Sequence, residues 1–237
     1  MSGTTIAEHG GTAQCEPCAA TDPGRTLARD AGHDDRTYLC YLAWFGPGLL
    51  KVGLTAAERG HDRLLDQAAI VSTLLARGPY AAIRHAETRI SGAGLAKERV
   101  GARAKADAWW KLPAAADRTA AILTARQAIT DAVPLPTAAE PLSCTITDHA
   151  ADYGLDGIPD RYADIKVVAD GTVIAGKIQA IIGGRLLLDA EPGAFLLDTR
   201  LITGWQIIAT RQQAPERLDY DVRDRPRGPH DHQNLLF

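Results

Sequence analysis

Aromatic side chains are scarce in this sequence, 5% of 237 residues, while hydrophobic residues reach 46% with Ala and Leu dominant. That balance is enough for an ordinary buried core and excludes a disordered chain. No apolar run approaches the ~20 residues that a membrane-spanning helix needs, so no membrane partner is expected. The first residues, Met1 to Gly11, lack the charged and apolar segments of a secretory signal. A cytoplasmic location is the resulting expectation. Cysteines number only four, too few for a disulfide scaffold. Cys15 and Cys18 form a C-x-x-C pair, and Cys40 and Cys144 stand alone. In a reducing compartment such a pair reads as metal-binding or redox-active. There is no internal repeat.

Charge of one sign is not in excess, because the net value is −3. Its distribution is uneven. Between Thr37 and Ala128 there are thirteen Lys or Arg against seven Asp or Glu. A basic middle in an acidic chain suits a phosphate backbone, although scattered solvated charges give the same count.

The local patterns predict an α+β fold. Residues 1–36 read as an irregular N-terminal segment carrying the Cys pair. Tyr38–Phe45 is an uninterrupted apolar and aromatic strand, Gly46-Pro47-Gly48 is a turn, and Leu49–Leu54 is a second strand. These make an antiparallel hairpin. From Ala56 to Leu75 the apolar positions Leu64, Leu65, Ala68, Val71 and Leu75 predict a helix. Further helices are expected over Ala81–Ile90, within 97–107 and over Ala114–Val133, with Pro134 and Pro136 closing the last. Residues 37–133 thus form one α/β domain. Beyond the prolines the period shortens. Ile165–Val168, Thr172–Ile178, Arg185–Leu188 and Ala194–Leu197 read as short strands separated by Asp170-Gly171, Gly183-Gly184 and Pro192-Gly193. They predict a small barrel-like β-domain over 141–210. Residues 211–237 read as a charged, disordered tail.

The hairpin and the helix after it resemble the GIY-YIG endonuclease superfamily. Tyr38-Leu39-Cys40-Tyr41-Leu42-Ala43 stands at the first motif with Tyr41 as its tyrosine. Lys51-Val52-Gly53 stands at the second, with Lys51 where the family has tyrosine. Arg63 takes the place of the family arginine, Gln67 stands where a histidine often lies, and Glu87 takes the place of the metal-binding glutamate. The resemblance implies a metal-dependent phosphodiesterase or nuclease acting on nucleic acid. In that reading a Mg²⁺ or Mn²⁺ ion on Glu87 acts as Lewis acid, Arg63 holds the phosphate, and Tyr41 takes part in proton transfer. Lys51 serves as a hydrogen-bond donor to the phosphate or, if desolvated, as a base, and Gln67 cannot shuttle a proton as histidine does. The bland alternatives are a core tyrosine, solvated cations, and Glu87 paired with Arg84 or Arg89 on its own helix.

From about residue 15 to 210 the chain also resembles a set of bacterial proteins with no assigned activity. Tyr41-Leu42-Ala43-Trp44-Phe45-Gly46, Lys51-Val52-Gly53-Leu54-Thr55, Asp66-Gln67-Ala68-Ala69 and Leu197-Asp198-Thr199-Arg200 carry that likeness. Those proteins carry further N-terminal cysteines that this chain lacks.

Two other features stand apart from the hairpin. Cys15 and Cys18 have the spacing of half a structural zinc knuckle, for which His9, His33 or Cys40 could complete the ligands. Trp109 and Trp110 either stack on bases or pack over a domain edge. A catalytically divergent domain is the alternative function. It would bind nucleic acid or act on a small phosphate-containing molecule. A purely structural interaction protein is the third reading.

Overall fold

The computed structural model of the chain describes residues 15–20, 35–212 and 214–225. The fold is α+β, with two separate five-stranded sheets and five helices among the described residues. Short helix α1 is Glu16–Ala20. Strands β1 (Thr37–Trp44) and β2 (Leu50–Ala56) pair antiparallel, with Tyr41 opposite Gly53 and Ala43 opposite Lys51. The expected hairpin is therefore present. Helix α2 is Gly60–Asp66, and strand β3 is Val71–Pro79, antiparallel to β1 on its other side.

The long helix expected over Ala56–Leu75 is thus a short helix followed by a strand. Ala68 explains the break: its φ of 60° is left-handed, a conformation that ends a helix. The β-branched Ile70, Val71 and Thr73 then suit an extended chain. Strand β3 is central and buried on both sides, so it lacks the polar alternation that marks a half-exposed strand.

Helices α3 (Tyr80–Gly92), α4 (Ala102–Trp109) and α5 (Ala115–Ala132) follow. Ala82, Ile83, Ala86 and Ile90 form the buried stripe of α3. Each fully buried Ile contributes about 1.5–3 kcal/mol. Ile83 and Ile90 share one core cluster with Cys40, Leu42 and Trp44 and with Ile122 and Ile129 of α5. Tyr41, Ala43 and Phe45 belong to another cluster, with Leu64 and Ala69. Alternation along β1 separates these two sets onto opposite faces of the sheet.

Strands β4 (Glu140–Pro141) and β5 (Ile146–Asp148) return to the outer edge of β3. Residues counted with the second domain by sequence thus complete the first sheet. The second sheet runs β10-β6-β9-β8-β7, from β6 (Arg161–Val167), β7 (Lys177–Ile181), β8 (Arg185–Asp189), β9 (Phe195–Asp198) and β10 (Asp219–Asp224). It is open: β7 and β10 are its edges and do not meet, so the expected barrel does not close. Residues 172–175 are not extended into a strand, and β10 forms within the stretch that composition assigns to a disordered tail.

The halves share a core, because Tyr162, Ile182, Leu187 and Leu196 belong to the same cluster as Leu42 and Ile83. Trp109 and Trp110 lie at this seam and are nearly buried. Trp110 stacks on Tyr162 at 5.1 Å and donates its Nε1–H to the Pro159 carbonyl at 3.0 Å. They pack over the domain edge. Beside them a cavity of about 400 Å³ is lined by Leu155, Arg118 and Arg225 among others. No described helix is long and apolar enough to cross a membrane.

Candidate functional site

Three of the residues singled out by sequence, Tyr41, Lys51 and Gln67, meet at the Tyr41 hydroxyl, and Arg63 of α2 lies one turn before Gln67. Tyr41 and Lys51 lie on neighbouring strands and project from one face, since Gly53, two residues from Lys51, is the partner of Tyr41. Lys51 Nζ donates to Tyr41 Oη at 3.1 Å and to the Val52 carbonyl at 3.2 Å. Gln67 Nε2 donates to the same Oη at 2.8 Å and to the Arg63 carbonyl at 3.1 Å. Gln67 follows the last turn of α2, which places its amide over β1. Gly53 makes the arrangement possible. A Cβ there would collide with both the Tyr41 hydroxyl and the Lys51 ammonium.

A phenol oxygen that accepts two hydrogen bonds still carries one O–H to give. The Tyr41 hydroxyl is therefore a donor toward whatever occupies the remaining direction.

Two cations that sequence reasoning missed join this group. Lys105 of α4 donates to the Gln67 carbonyl at 2.7 Å, and its Nζ lies 3.8 Å from the centre of the Phe45 ring. Burial pushes its ammonium down to about 8, helped by the positive charges of Lys51, Arg185 and Arg63. Arg185, at the start of β8, comes from the second sheet. Its Nη1 donates to the Ala102 carbonyl at 3.3 Å and its Nε is 3.6 Å from Asp198 Oδ2. Asp198 is shared with Arg200 at 2.5 Å. Among the described residues, Asp198 is the one carboxylate within ion-pair range of Lys51, Arg63, Lys105 or Arg185. Lys105 lies in a basic stretch visible in the sequence, but Arg185 carries no local signal there.

Glu87 is not part of this group. It shares the buried stripe of α3 and pairs with Arg84, one turn back, which also lies 3.5 Å from Glu98. It approaches the sheet from the Cys40 face, opposite Tyr41. Burial, with the Glu87 charge adding to it and Lys51 opposing it, pushes the Cys40 thiol up to about 12.

A divalent ion needs oxygen ligands, usually including carboxylates. The side chains around Tyr41 offer cations, a hydroxyl and an amide, so this donor set does not fit Mg²⁺ or Mn²⁺. Among the described residues no group of three His, Cys, Asp or Glu could hold a metal. Cys15 and Cys18 lie at the start of α1, both half-buried. His9 and His33 fall outside the described residues, and Cys40 is a buried, protonated thiol, unlike a zinc ligand.

A second polar cluster lies on β3. Ser72 pairs with Ala43, which places its hydroxyl on the Tyr41 face. Ser72 Oγ and His149 Nε2 are 2.9 Å apart, and both residues are buried. His149 Nδ1 has no hydrogen-bond partner among the described residues. Asp152 is 3.9 Å from it and the His61 ring is 5.0 Å away. Burial first, then the neighbouring His61, lowers the His149 pKa. The Ser72–His149 pair ties the segment after β5 to the sheet.

A family model described as protein of unknown function (DUF2797) matches residues 12–207. The chain belongs to the DUF2797 family. No curated protein and no solved structure matches it. The match runs through both sheets of this DUF2797 chain up to the residues after β9, and it includes Tyr41, Lys51, Arg63, Gln67, Lys105 and Arg185.

Proposed function

We propose that this protein binds nucleic acid through a phosphate group held at the Tyr41 hydroxyl, as a divergent relative of the GIY-YIG nucleases. One observation carries the reading. The Tyr41 hydroxyl accepts from both Lys51 and Gln67 and so presents its own O–H into a site with an excess of cations. Phosphate oxygens are strong acceptors and take charge-assisted hydrogen bonds from Lys and Arg. The guanidinium of Arg63 meets no carboxylate among the described residues, and its planar fork suits a phosphate. The basic stretch from β1 into α5 gives the electrostatic footprint that a backbone requires.

The test is fluorescence anisotropy of labelled single- and double-stranded DNA and RNA over a range of salt. Binding that weakens as salt rises, and that falls further in Tyr41→Phe and Lys51→Met, supports the reading. Salt-independent binding, or none with any of the four ligands, removes it.

Metal-dependent hydrolysis is the second reading, favoured by the meeting of Tyr41, Lys51 and Gln67, with Arg63 one turn before Gln67, in the order that the resemblance implies. It requires a carboxylate near Tyr41, and Glu87 faces Arg84 instead. Incubation of the same nucleic acids with Mg²⁺ or Mn²⁺ separates the two. Cleavage by the wild type that Glu87→Gln abolishes would establish the hydrolytic reading.

A further inference from the structure

The cation excess around Tyr41 has a second component, its origin in both sheets. The turn between β7 and β8 carries Gly183, where a Cβ would come within 2.8 Å of the Asp66 carbonyl oxygen and 3.0 Å of the Ala68 nitrogen. That turn is therefore pressed against the end of α2, one residue from Gln67. Arg185 follows it directly and lies along α4, bonded to the Ala102 carbonyl, with its guanidinium 5.9 Å from the centre of the Trp109 ring. Lys105 stands between Ala102 and Trp109 on that helix. From there its ammonium reaches the Gln67 carbonyl, and Gln67 reaches Tyr41.

Resting on the phosphate-binding reading above, we propose that this site takes a dianionic terminal phosphomonoester of a nucleic-acid strand, and that Arg185 selects it over an internal phosphodiester. The first argument is charge. An internal diester carries one negative charge, and a terminal phosphomonoester carries about 1.5–2 at neutral pH. Lys51, Arg63, Lys105 and Arg185 bring four cations, against Asp198, which Arg200 shares. A monoanion leaves most of that repulsion in place, and a dianion relieves it. Burial lowers the Lys105 pKa most, and the charges of Lys51, Arg185 and Arg63 lower it further. The second argument is access. Tyr41 is 1% exposed, while Lys51, Arg63, Gln67, Lys105 and Arg185 are each half-buried. A terminal phosphate approaches these half-buried side chains with one substituent trailing outward. An internal diester must bring nucleosides on both sides past the same side chains.

The experiment uses the full chain at pH 7.5 and fixed salt. Its ligands are a 12-nucleotide strand with a 5′-phosphate, the same strand with a 5′-hydroxyl, and adenosine 5′-monophosphate. The phosphorylated strand should bind at least about tenfold tighter than the hydroxyl strand, the worth of one further charge-assisted contact, and tighter than adenosine 5′-monophosphate, which lacks the strand's internal phosphates. Arg185→Gln should reduce that preference severalfold, and Arg185→Lys should keep part of it. Thermal melting of each variant checks that it folds. A further readout is proton uptake. Charges facing Lys105 are Lys51 on β2, Arg63 on α2 and Arg185 on β8, and Asp198 on β9 lies against Arg185. A bound dianion offsets them and raises the Lys105 pKa. Calorimetry at pH 8 in buffers of different ionisation enthalpy should then show protons taken up by wild type and not by Lys105→Met. Equal affinity for phosphorylated and hydroxyl strands, with binding still salt-dependent, overturns this inference and leaves the phosphate-binding reading intact. Equal affinity for adenosine 5′-monophosphate and the phosphorylated strand overturns the assignment to a strand. No binding of any ligand overturns both.

Discussion

The Gln67 side-chain amide donates to the Tyr41 hydroxyl across 2.8 Å, and this bond ties the end of α2 to the central strand β1. Replacing Gln67 by Leu leaves Tyr41 with Lys51 as its remaining donor. We expect a loss of about 0.5–1.5 kcal/mol, the usual net worth of such a bond, together with weaker strand binding. Gln67→His keeps a donor at that place and should retain more of both. Urea denaturation and anisotropy check this. A Leu variant with unchanged stability and affinity would show that the bond contributes nothing.

Gly53 supplies a test with an unusual sign. In an unobstructed strand, Gly→Ala is favourable by roughly 0.5–1 kcal/mol, because glycine loses more backbone freedom on folding. Here the added methyl meets the Tyr41 hydroxyl and the Lys51 ammonium. Gly53→Ala should instead destabilise by about 1–3 kcal/mol, as overpacking does, and displace the two groups that hold the ligand. Chemical denaturation decides the sign, and a stabilised variant would mean the site has room to spare.

The two lone cysteines should differ sharply as nucleophiles. Cys144 is exposed, and Cys40 is buried with its thiol pushed up to about 12. The thiolate is the reactive form. In a Cys15→Ser, Cys18→Ser background at pH 8, one thiol should react with an aromatic disulfide reagent within minutes, and the second only after denaturation. Rapid reaction of both in the native protein would place Cys40 within reach of solvent.

His149 predicts a specific pH dependence. Its folded pKa lies below the ordinary value of 6.5, chiefly through burial. Above 6.5 the imidazole is neutral in both states, and the pair with Ser72 is at full strength. As pH falls below 6.5, the unfolded chain takes up a proton that the folded chain declines. Stability is then lost at up to about 1.4 kcal/mol per pH unit until the folded pKa is passed. His61 adds to the effect, while Asp152 and Asp148 oppose it. Denaturation curves at pH 7.5, 6.5 and 5.5 measure this, and His149→Gln should flatten the decline between the last two. An equally steep fall in that variant would assign the effect to other groups.

Sequence alone determined the β1–β2 hairpin, helices α3 and α5, and strands β8 and β9 of the second sheet. In each case a turn residue or an apolar period is written locally, as in Gly46-Pro47-Gly48 before β2 and Pro134 after α5. It also singled out Tyr41, Lys51 and Gln67, which the fold brings into hydrogen-bond contact, because their order along a hairpin and the helix after it is itself a local pattern. It failed at β3, where burial on both faces removes the alternation by which a strand is recognised, and at the barrel, whose closure depends on edges that no local pattern describes. Tertiary structure alone decided that Glu87 approaches the Cys40 face of the sheet, since one residue's step along β1 determines which face each side chain meets. It alone brought Arg185 to Lys105. Those residues are eighty positions apart, and the packing of one glycine turn against the end of α2 joins them, a contact set by the fit of two surfaces.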